Sequence, residues 1–157
     1  MKIVILVEDK AKTPGIVEAI DYFQKLCSGW LTTSVTVAKH RTKANRKRSN
    51  DPHQAILSIL KPTDYFVALD RQGPIETHWA PDSYEFSDFL GEIMRGSWHR
   101  LVFAVGGADG LPENVLTRAE RILSLSRLTF PHDIVPLMLL EQIYRSLTIL
   151  HRHPYHR

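Results

Sequence analysis

The residue types best suited to chemistry gather in one stretch, His151-Arg152-His153-Pro154-Tyr155-His156-Arg157. Its three histidines invite a metal site, but their spacing matches no closed zinc pattern and the stretch has no cysteine. No metal is expected. Basic side chains, imidazoles and a phenol ring suit a phosphate and a stacked base better. The plain alternative is a frayed terminus. A second charged group is Arg41, Lys43, Arg46, Lys47 and Arg48, with no acid until Asp51. The net charge is only +3, so this local block matters more than the total. It reads either as a phosphate-backbone contact or as a solvated loop.

Two further segments have the composition of ligand loops. Gly106-Gly107-Ala108-Asp109-Gly110 follows the aliphatic run Leu101 to Val105. Glycines let backbone approach a ligand and adopt positive φ. The spacing is not the dinucleotide fingerprint and no Lys-Ser/Thr follows, so a tight turn is an equal reading. In Leu125-Ser126-Arg127-Leu128-Thr129-Phe130-Pro131-His132, hydroxyls and backbone groups could read an adenine edge while Leu128 and Phe130 form an apolar wall. An ordinary short strand and turn would look the same, and a lone His132 is more often structural.

These segments need a frame to position them. Ile3–Val7, Leu31–Ala38, Tyr65–Leu69 and Leu101–Val105 read as strands, with Arg127–Phe130 as a short last one. Helices are expected from Pro14 to Cys27, from Asp51-Pro52 to Lys61, and from Ser83, as a possible cap, through Met94 to a stop at Gly96. Two more are expected over Glu113–Leu123 and Pro136–His151. Alternating strands and helices imply crossover connections, hence an α/β fold with a largely parallel sheet flanked by helices. No repeat or linker divides the 157 residues, so one domain spans 1–157.

In such sheets ligands bind at the carboxyl ends of strands. Leu69-Asp70-Arg71-Gln72-Gly73 and Gly106-Gly107 occupy two such ends. The last helix places Leu137, Leu140, Ile143, Tyr144 and Leu147 on a core stripe, with Met138, Leu139, Ile149 and Leu150 apolar elsewhere. A helix apolar nearly all round needs cover, from a second subunit or from deep burial in the monomer. Cys27 is the single cysteine, which excludes an intrachain disulfide and fits a reducing cytoplasm. The run Ile3 to Val7 is too short for a signal-peptide core or a membrane span, so no membrane association is expected.

Taken in order, Leu-Asp…Gly, Gly-Gly-Ala-Asp-Gly-Leu, Leu-Ser-Arg-Leu-Thr-Phe-Pro-His, Leu-Leu-Glu-Gln-Ile-Tyr-Arg and His-Pro-Tyr-His-Arg resemble the RlmH family. These are SPOUT-class methyltransferases acting on N3 of a pseudouridine in bacterial 23S rRNA. The resemblance runs the length of the chain and is dense from Leu101 onward. It implies a SPOUT fold with a C-terminal trefoil knot, a homodimer, and S-adenosyl-L-methionine bound in the knot. Leu69 falls at the start of the family's first cofactor loop, and Gly106 and Gly107 match its glycine loop. Ser126, Arg127, Leu128, Thr129, Phe130 and Pro131 match its third loop. Tyr155, His156 and Arg157 match the tail used near the substrate base.

The resemblance turns the Arg41–Arg48 block, with Arg152 and His153, into candidate RNA contacts, the partner being rRNA on an assembled ribosome. The implied chemistry is direct methyl transfer. His156 or Tyr155 would accept the N3 proton and Arg157 would stabilise charge on the base. Three departures stand out. The family's Gly-Gly-Pro-Glu-Gly is here Gly-Gly-Ala-Asp-Gly, its Ile-Pro-Gly is Arg71-Gln72-Gly73, and its basic residue before the Leu-rich helix is Pro136. The competing expectation is a catalytically silent RNA-binding or ribosome-assembly module with the same fold; a third is a nucleotide-binding protein unrelated to RNA.

Overall fold

The computed structural model describes residues 1–39, 52–71 and 78–156. Its strands are β1 (Lys2–Val7), β2 (Thr32–Val37), β3 (Asp64–Leu69), β4 (Arg100–Val105) and β5 (Arg121–Leu123). Its helices are α1 (Pro14–Cys27), α2 (Pro52–Ile59), α3 (Ser83–Arg95), α4 (Glu113–Leu116) and α5 (Val135–Leu150). The strands form one sheet in the order β2-β1-β4-β3-β5, every pairing parallel. Among the described residues no helix is long and apolar enough to cross a membrane.

Strand alternation sorts the core into two layers. Ile3, Ile5 and Val7 of β1, Val67 and Leu69 of β3, and Leu101, Phe103 and Val105 of β4 pack under α1, α3 and α5. Leu6, Phe66, Ala68, Val102 and Ala104 face the other way, toward Ala55 and Ile56 of α2 and Val115 of α4. Both faces are covered, which is why the strands read as continuous apolar runs. α5 packs on α1 and α3. Its stripe is rotated from the one expected: Leu139 is fully buried beside Leu140, Ile143 and Leu147, while Leu137 is half-buried with Met138, Ile149 and Leu150.

Three expected local features differ. The pattern over 113–123 gives one turn of helix, then β5. The reason is the open edge of β3: the Glu120 N–H donates to the Phe66 carbonyl at 2.9 Å, and the Phe66 N–H donates back to the Glu120 carboxylate at 2.7 Å. Pairing of an exposed strand edge outweighs helix propensity here. Arg127–Phe130 is loop, because the Ser126 hydroxyl accepts the Leu128 N–H at 3.0 Å and bends the chain locally. At α3 the cap is Asp82, one residue before Ser83. Its carboxylate accepts the Tyr84 and Glu85 N–H groups, and the Glu85 carboxylate accepts the Asp82 N–H, completing a capping box. The Asp51 cap expected for α2 lies outside the described residues, as do Gln72, Gly73 and Pro74.

At the amino ends of β3 and β4, Asp64 is 1% exposed and accepts from Arg100 Nε at 2.8 Å and from the Lys61 N–H at 2.7 Å. Arg100 also donates to the Ile59 carbonyl at 3.0 Å, tying α2 into the same corner. Burial alone would push the Asp64 carboxyl up. The Arg100 hydrogen bond, the Lys61 N–H and the two nearby cations outweigh it and hold the group below the usual carboxylate range. A carboxyl depressed on folding stabilises fully above its unfolded value, and that stability is lost as pH falls through the lower folded value. Asp64→Ala should therefore cost about 3 kcal/mol at neutral pH by stranding Arg100. Thermal melts of the variant should also lose part of the wild-type decline below about pH 4.

Candidate cofactor cavity and the folded-back tail

Three connections leave the carboxyl ends of β3, β4 and β5 and enclose a cavity of about 680 Å3. That is a common size for a site holding a small cofactor. The first wall is Leu69, Asp70 and Arg71; the second runs from Val105 to Leu111; the third comprises Leu123, Leu125, Ser126, Leu128 to His132 and Val135. The lining is mixed, with aliphatic residues on every side and hydroxyls and backbone between them.

The second wall explains its glycines. Gly110 has φ of +77°, which side chains disfavour, and its N–H closes on the Gly107 carbonyl at 3.2 Å. A Cβ on Gly106 would lie 2.4 Å from the Gly110 carbonyl carbon, so the turn folds directly onto Gly106. A Cβ on Gly107 would lie 2.5 Å from a carboxylate oxygen of Glu8, at the end of β1. Glu8 is itself hydrogen-bonded to His53 Nε2 at 2.8 Å. The glycine loop thus rests on a carboxylate held from α2, an arrangement spanning 45 residues that no local pattern announces.

The third wall is built on hydroxyls. The Ser124 hydroxyl donates to the Ser126 carbonyl at 3.2 Å, and the Ser126 hydroxyl takes the Leu128 N–H. Trp79 bridges the outer edge of β5: its N–H donates to Ile122 and its carbonyl accepts from Ser124, both at 2.9 Å. Asp133 ties this wall to the connection after β1, accepting the Lys12 N–H at 3.1 Å.

Seen from the sequence, Leu69, Gly106, Gly107, Ser126, Leu128, Thr129, Phe130 and Pro131 all line the cavity. Arg127 does not; it is exposed outside the wall. Asp70, Arg71 and Asp109, which belong to the two strand-end loops but were not among the candidate site residues, line it as well, and so does His132, which the sequence reads as structural. The candidate RNA contacts Arg41, Lys43, Arg46, Lys47 and Arg48, and the candidate catalytic Arg157, lie outside the described residues.

The tail folds back on α5. Arg152 takes φ of +54°, and the next N–H, of His153, donates to the Thr148 carbonyl at 2.8 Å. His151 stacks on Trp30 with centroids 5.3 Å apart, and His153 meets the same ring edge-on. The Tyr155 hydroxyl donates to Glu141 Oε1 at 3.1 Å, its ring packs edge-on to Tyr144 at 4.8 Å, and the Arg145 guanidinium lies 5.0 Å over it. Arg145 also pairs with Glu141 through a short contact and reaches His156 Nδ1 at 3.2 Å. Tyr155 and His156 are therefore brought together, on the Glu141–Arg145 face of α5. They do not line the cavity of their own chain. A smaller hollow of about 370 Å3 beside Glu141, lined also by Phe23, Leu137 and Met138, shares Leu125 with the cavity wall.

A family model described as "Predicted SPOUT methyltransferase" matches residues 1–156. The chain is 36% identical over 162 residues to the ribosomal RNA large subunit methyltransferase H of Parabacteroides distasonis, covering 99% of both chains. The chain belongs to the RlmH family of SPOUT methyltransferases. It is also 31% identical over 157 residues to the relative of the same name from Acholeplasma laidlawii, covering 100% of each. Among solved structures it is similar to a probable methylase family protein from Haemophilus influenzae, with TM-score 0.60 and 8% identity over 99% of this chain and 70% of that one. A probable methyltransferase from Bordetella pertussis gives TM-score 0.58 and 11% identity over 93% and 94%. At those identities the likeness bears on the fold alone.

Within this RlmH-family chain a cysteine nucleophile loses support. Burial pushes the Cys27 thiol up to about 11, against a smaller opposing effect of Thr33, so it is not poised as a nucleophile. Among the described residues no group of three His, Cys, Asp or Glu side chains is placed to hold a metal ion.

Gly106→Ala should cost about 1–3 kcal/mol, because the atom it meets is backbone and cannot step aside; the urea midpoint reads this directly. Burial first, then the Glu141 hydrogen bond, raises the Tyr155 phenol above the usual tyrosine range. In Glu141→Gln the Tyr155 titration, followed by NMR of labelled tyrosine, should move back toward the ordinary value.

Proposed function

We propose that this chain transfers a methyl group from S-adenosyl-L-methionine to N3 of a pseudouridine in bacterial 23S rRNA. The observation that carries the reading is the cavity: three strand-end connections, one of them a glycine turn closed on itself, in a chain of the RlmH family. The relatives, ribosomal RNA large subunit methyltransferases by name, supply large-subunit rRNA as the substrate class. The nucleoside position rests on the resemblance in the tail and loops.

The residues present suit the cofactor. Leu69, Leu128 and Phe130 offer apolar surface to an adenine ring, and the Gly106–Gly107 backbone and the Ser126 to Pro131 segment offer polar groups to its edge and ribose. When bound, the cofactor supplies a methyl group already activated on a sulfonium. The protein then has to orient the nucleoside and remove the N3 proton; orientation of this kind can contribute roughly 7–11 kcal/mol. Tyr155 keeps its proton at neutral pH, since its phenol is raised and donates to Glu141. His156 remains as the tail group we assign to accept the N3 proton, a role that requires its Nδ1 to part from the Arg145 guanidinium, which donates to it in this arrangement, with Arg157 stabilising charge on the base.

A homodimer belongs to this proposal. Tyr155 and His156 sit on α5 away from the cavity of their own chain, and the half-buried Leu137 and Met138 beside them border a hollow next to the cavity wall. Two chains paired over this region would bring the tail of one to the cavity of the other. A trefoil knot is part of the same reading: β5 lies beyond β3, so the connection after it must return across the strand ends to reach α5 on α1 and α3. Arg41, Lys43, Arg46, Lys47 and Arg48, with Arg152 and His153, are proposed to contact rRNA phosphates on the assembled ribosome, in the cytoplasm. The described chain on either side of that block supports this: Ala38 bonds to Val7 at the end of β1, and His53 bonds to Glu8 beside the glycine loop.

The silent-module reading rests on Pro136 and Arg71-Gln72-Gly73, where family residues are replaced. Mass spectrometry of 23S rRNA from a deletion strain should show loss of one methylated pseudouridine, restored by the wild-type gene. Alanine at Tyr155, His156 and Arg157 together should abolish restoration while calorimetry still shows cofactor binding. Retained modification in the deletion strain would sink the proposal; absence of cofactor binding by the wild type would favour the silent module.

A further inference from the structure

Of the described residues lining the cavity, Arg71 is the one with a permanent positive charge; Asp70 and Asp109 supply carboxylates and His132 an imidazole. The other groups near it are engaged. Asp70, 14% exposed, accepts from His78 Nε2 at 3.0 Å, a contact that closes the stem of the connection after β3. His132 Nε2 lies 3.0 Å from the Asp133 carboxylate. Arg71 is exposed on the cavity wall, and among the described residues it has no hydrogen-bond or ion-pair partner. An arginine at the rim of a partly apolar cavity presents a planar fork of donors, the geometry that a carboxylate accepts through both oxygens.

The cofactor of the proposed reaction carries one group of that type. Its adenosine end is apolar and aromatic, its sulfonium and ammonium are cationic, and its single anionic group is the α-carboxylate. We infer that Arg71 binds this carboxylate, fixing the amino-acid end of S-adenosyl-L-methionine at the β3 side of the cavity. The adenosine is then left to the glycine turn and to the wall from Ser126 to Pro131. The inference rests on the cofactor reading above. An RNA phosphate is the competing occupant of the guanidinium, and the cavity position favours the cofactor because Arg71 shares its wall with Leu69.

Calorimetry with two thioethers isolates the contact. S-adenosylhomocysteine carries the α-carboxylate, whereas 5′-deoxy-5′-(3-aminopropylthio)adenosine keeps the same thioether and amine without it. The wild type should bind the first about tenfold or more tightly than the second, the scale of a charge-assisted hydrogen bond. Arg71→Ala should close that gap by weakening S-adenosylhomocysteine alone, with the melting temperature unchanged, and Arg71→Lys should restore part of it. A gap of the same size in Arg71→Ala, or no gap in the wild type, overturns the inference. Loss of rRNA affinity in Arg71→Ala with the gap intact overturns it too and assigns the guanidinium to a phosphate. If the wild type binds neither thioether, the cofactor reading itself fails and takes the inference with it.

Discussion

At the carboxyl end of β4 the backbone of Gly110 stands where a side chain on Gly106 would have to be. The other parts of the cavity are arranged around that close approach. The turn can fold onto itself only because Gly106 has no Cβ and Gly110 tolerates positive φ, and the folded turn becomes one wall of the cavity. Gly107 extends the dependence to the far side, since its missing side chain leaves room for Glu8. Through Glu8 and His53 the turn is braced by β1 and by the start of α2, immediately after the basic block.

The sheet serves this arrangement by its order. β4 lies between β1 and β3, so its carboxyl end has neighbours on both sides, and parallel pairing brings the cavity-lining connections to one edge. The opposite edge carries the structural charge pair, where Asp64 and Arg100 clamp β3 to β4 and reach α2. The cavity and the structural charge pair thus lie at opposite ends of the strands. The narrow outer edge is handled economically: β5 is three residues long, and Glu120 and Trp79 complete its hydrogen bonding from either side.

The tail shows how one helix supplies two roles. α5 buries Leu139, Leu140, Ile143 and Leu147 against α1 and α3, while Glu141 and Arg145 on a neighbouring face hold Tyr155 and His156. Exposed ion pairs of this spacing contribute little to stability on their own. Here the pair acts on the tail, fixing the phenol by a hydrogen bond and the ring by the guanidinium above it.

The sequence by itself determined the layer architecture, the strands β1 to β4, four of the helices to within about two residues at each end, and the loops that line the cavity. Those features follow from apolar periodicity and from glycine, whose effects are local. Ordered motifs from Leu101 onward were enough to point to the RlmH family. Only the tertiary structure decided the rest. β5 displaced the expected helical continuation because the edge of β3 needed hydrogen-bond partners, a demand that no nearby residue reveals. Leu139 exchanged places with Leu137 because the packing of α5 on two helices, rather than its own periodicity, sets which face is inside. Glu8 and His53 became part of the glycine loop, Arg71 part of the cavity wall, and Tyr155 a partner of Glu141, because contacts between residues distant in the chain exist only once the sheet and its helices are assembled.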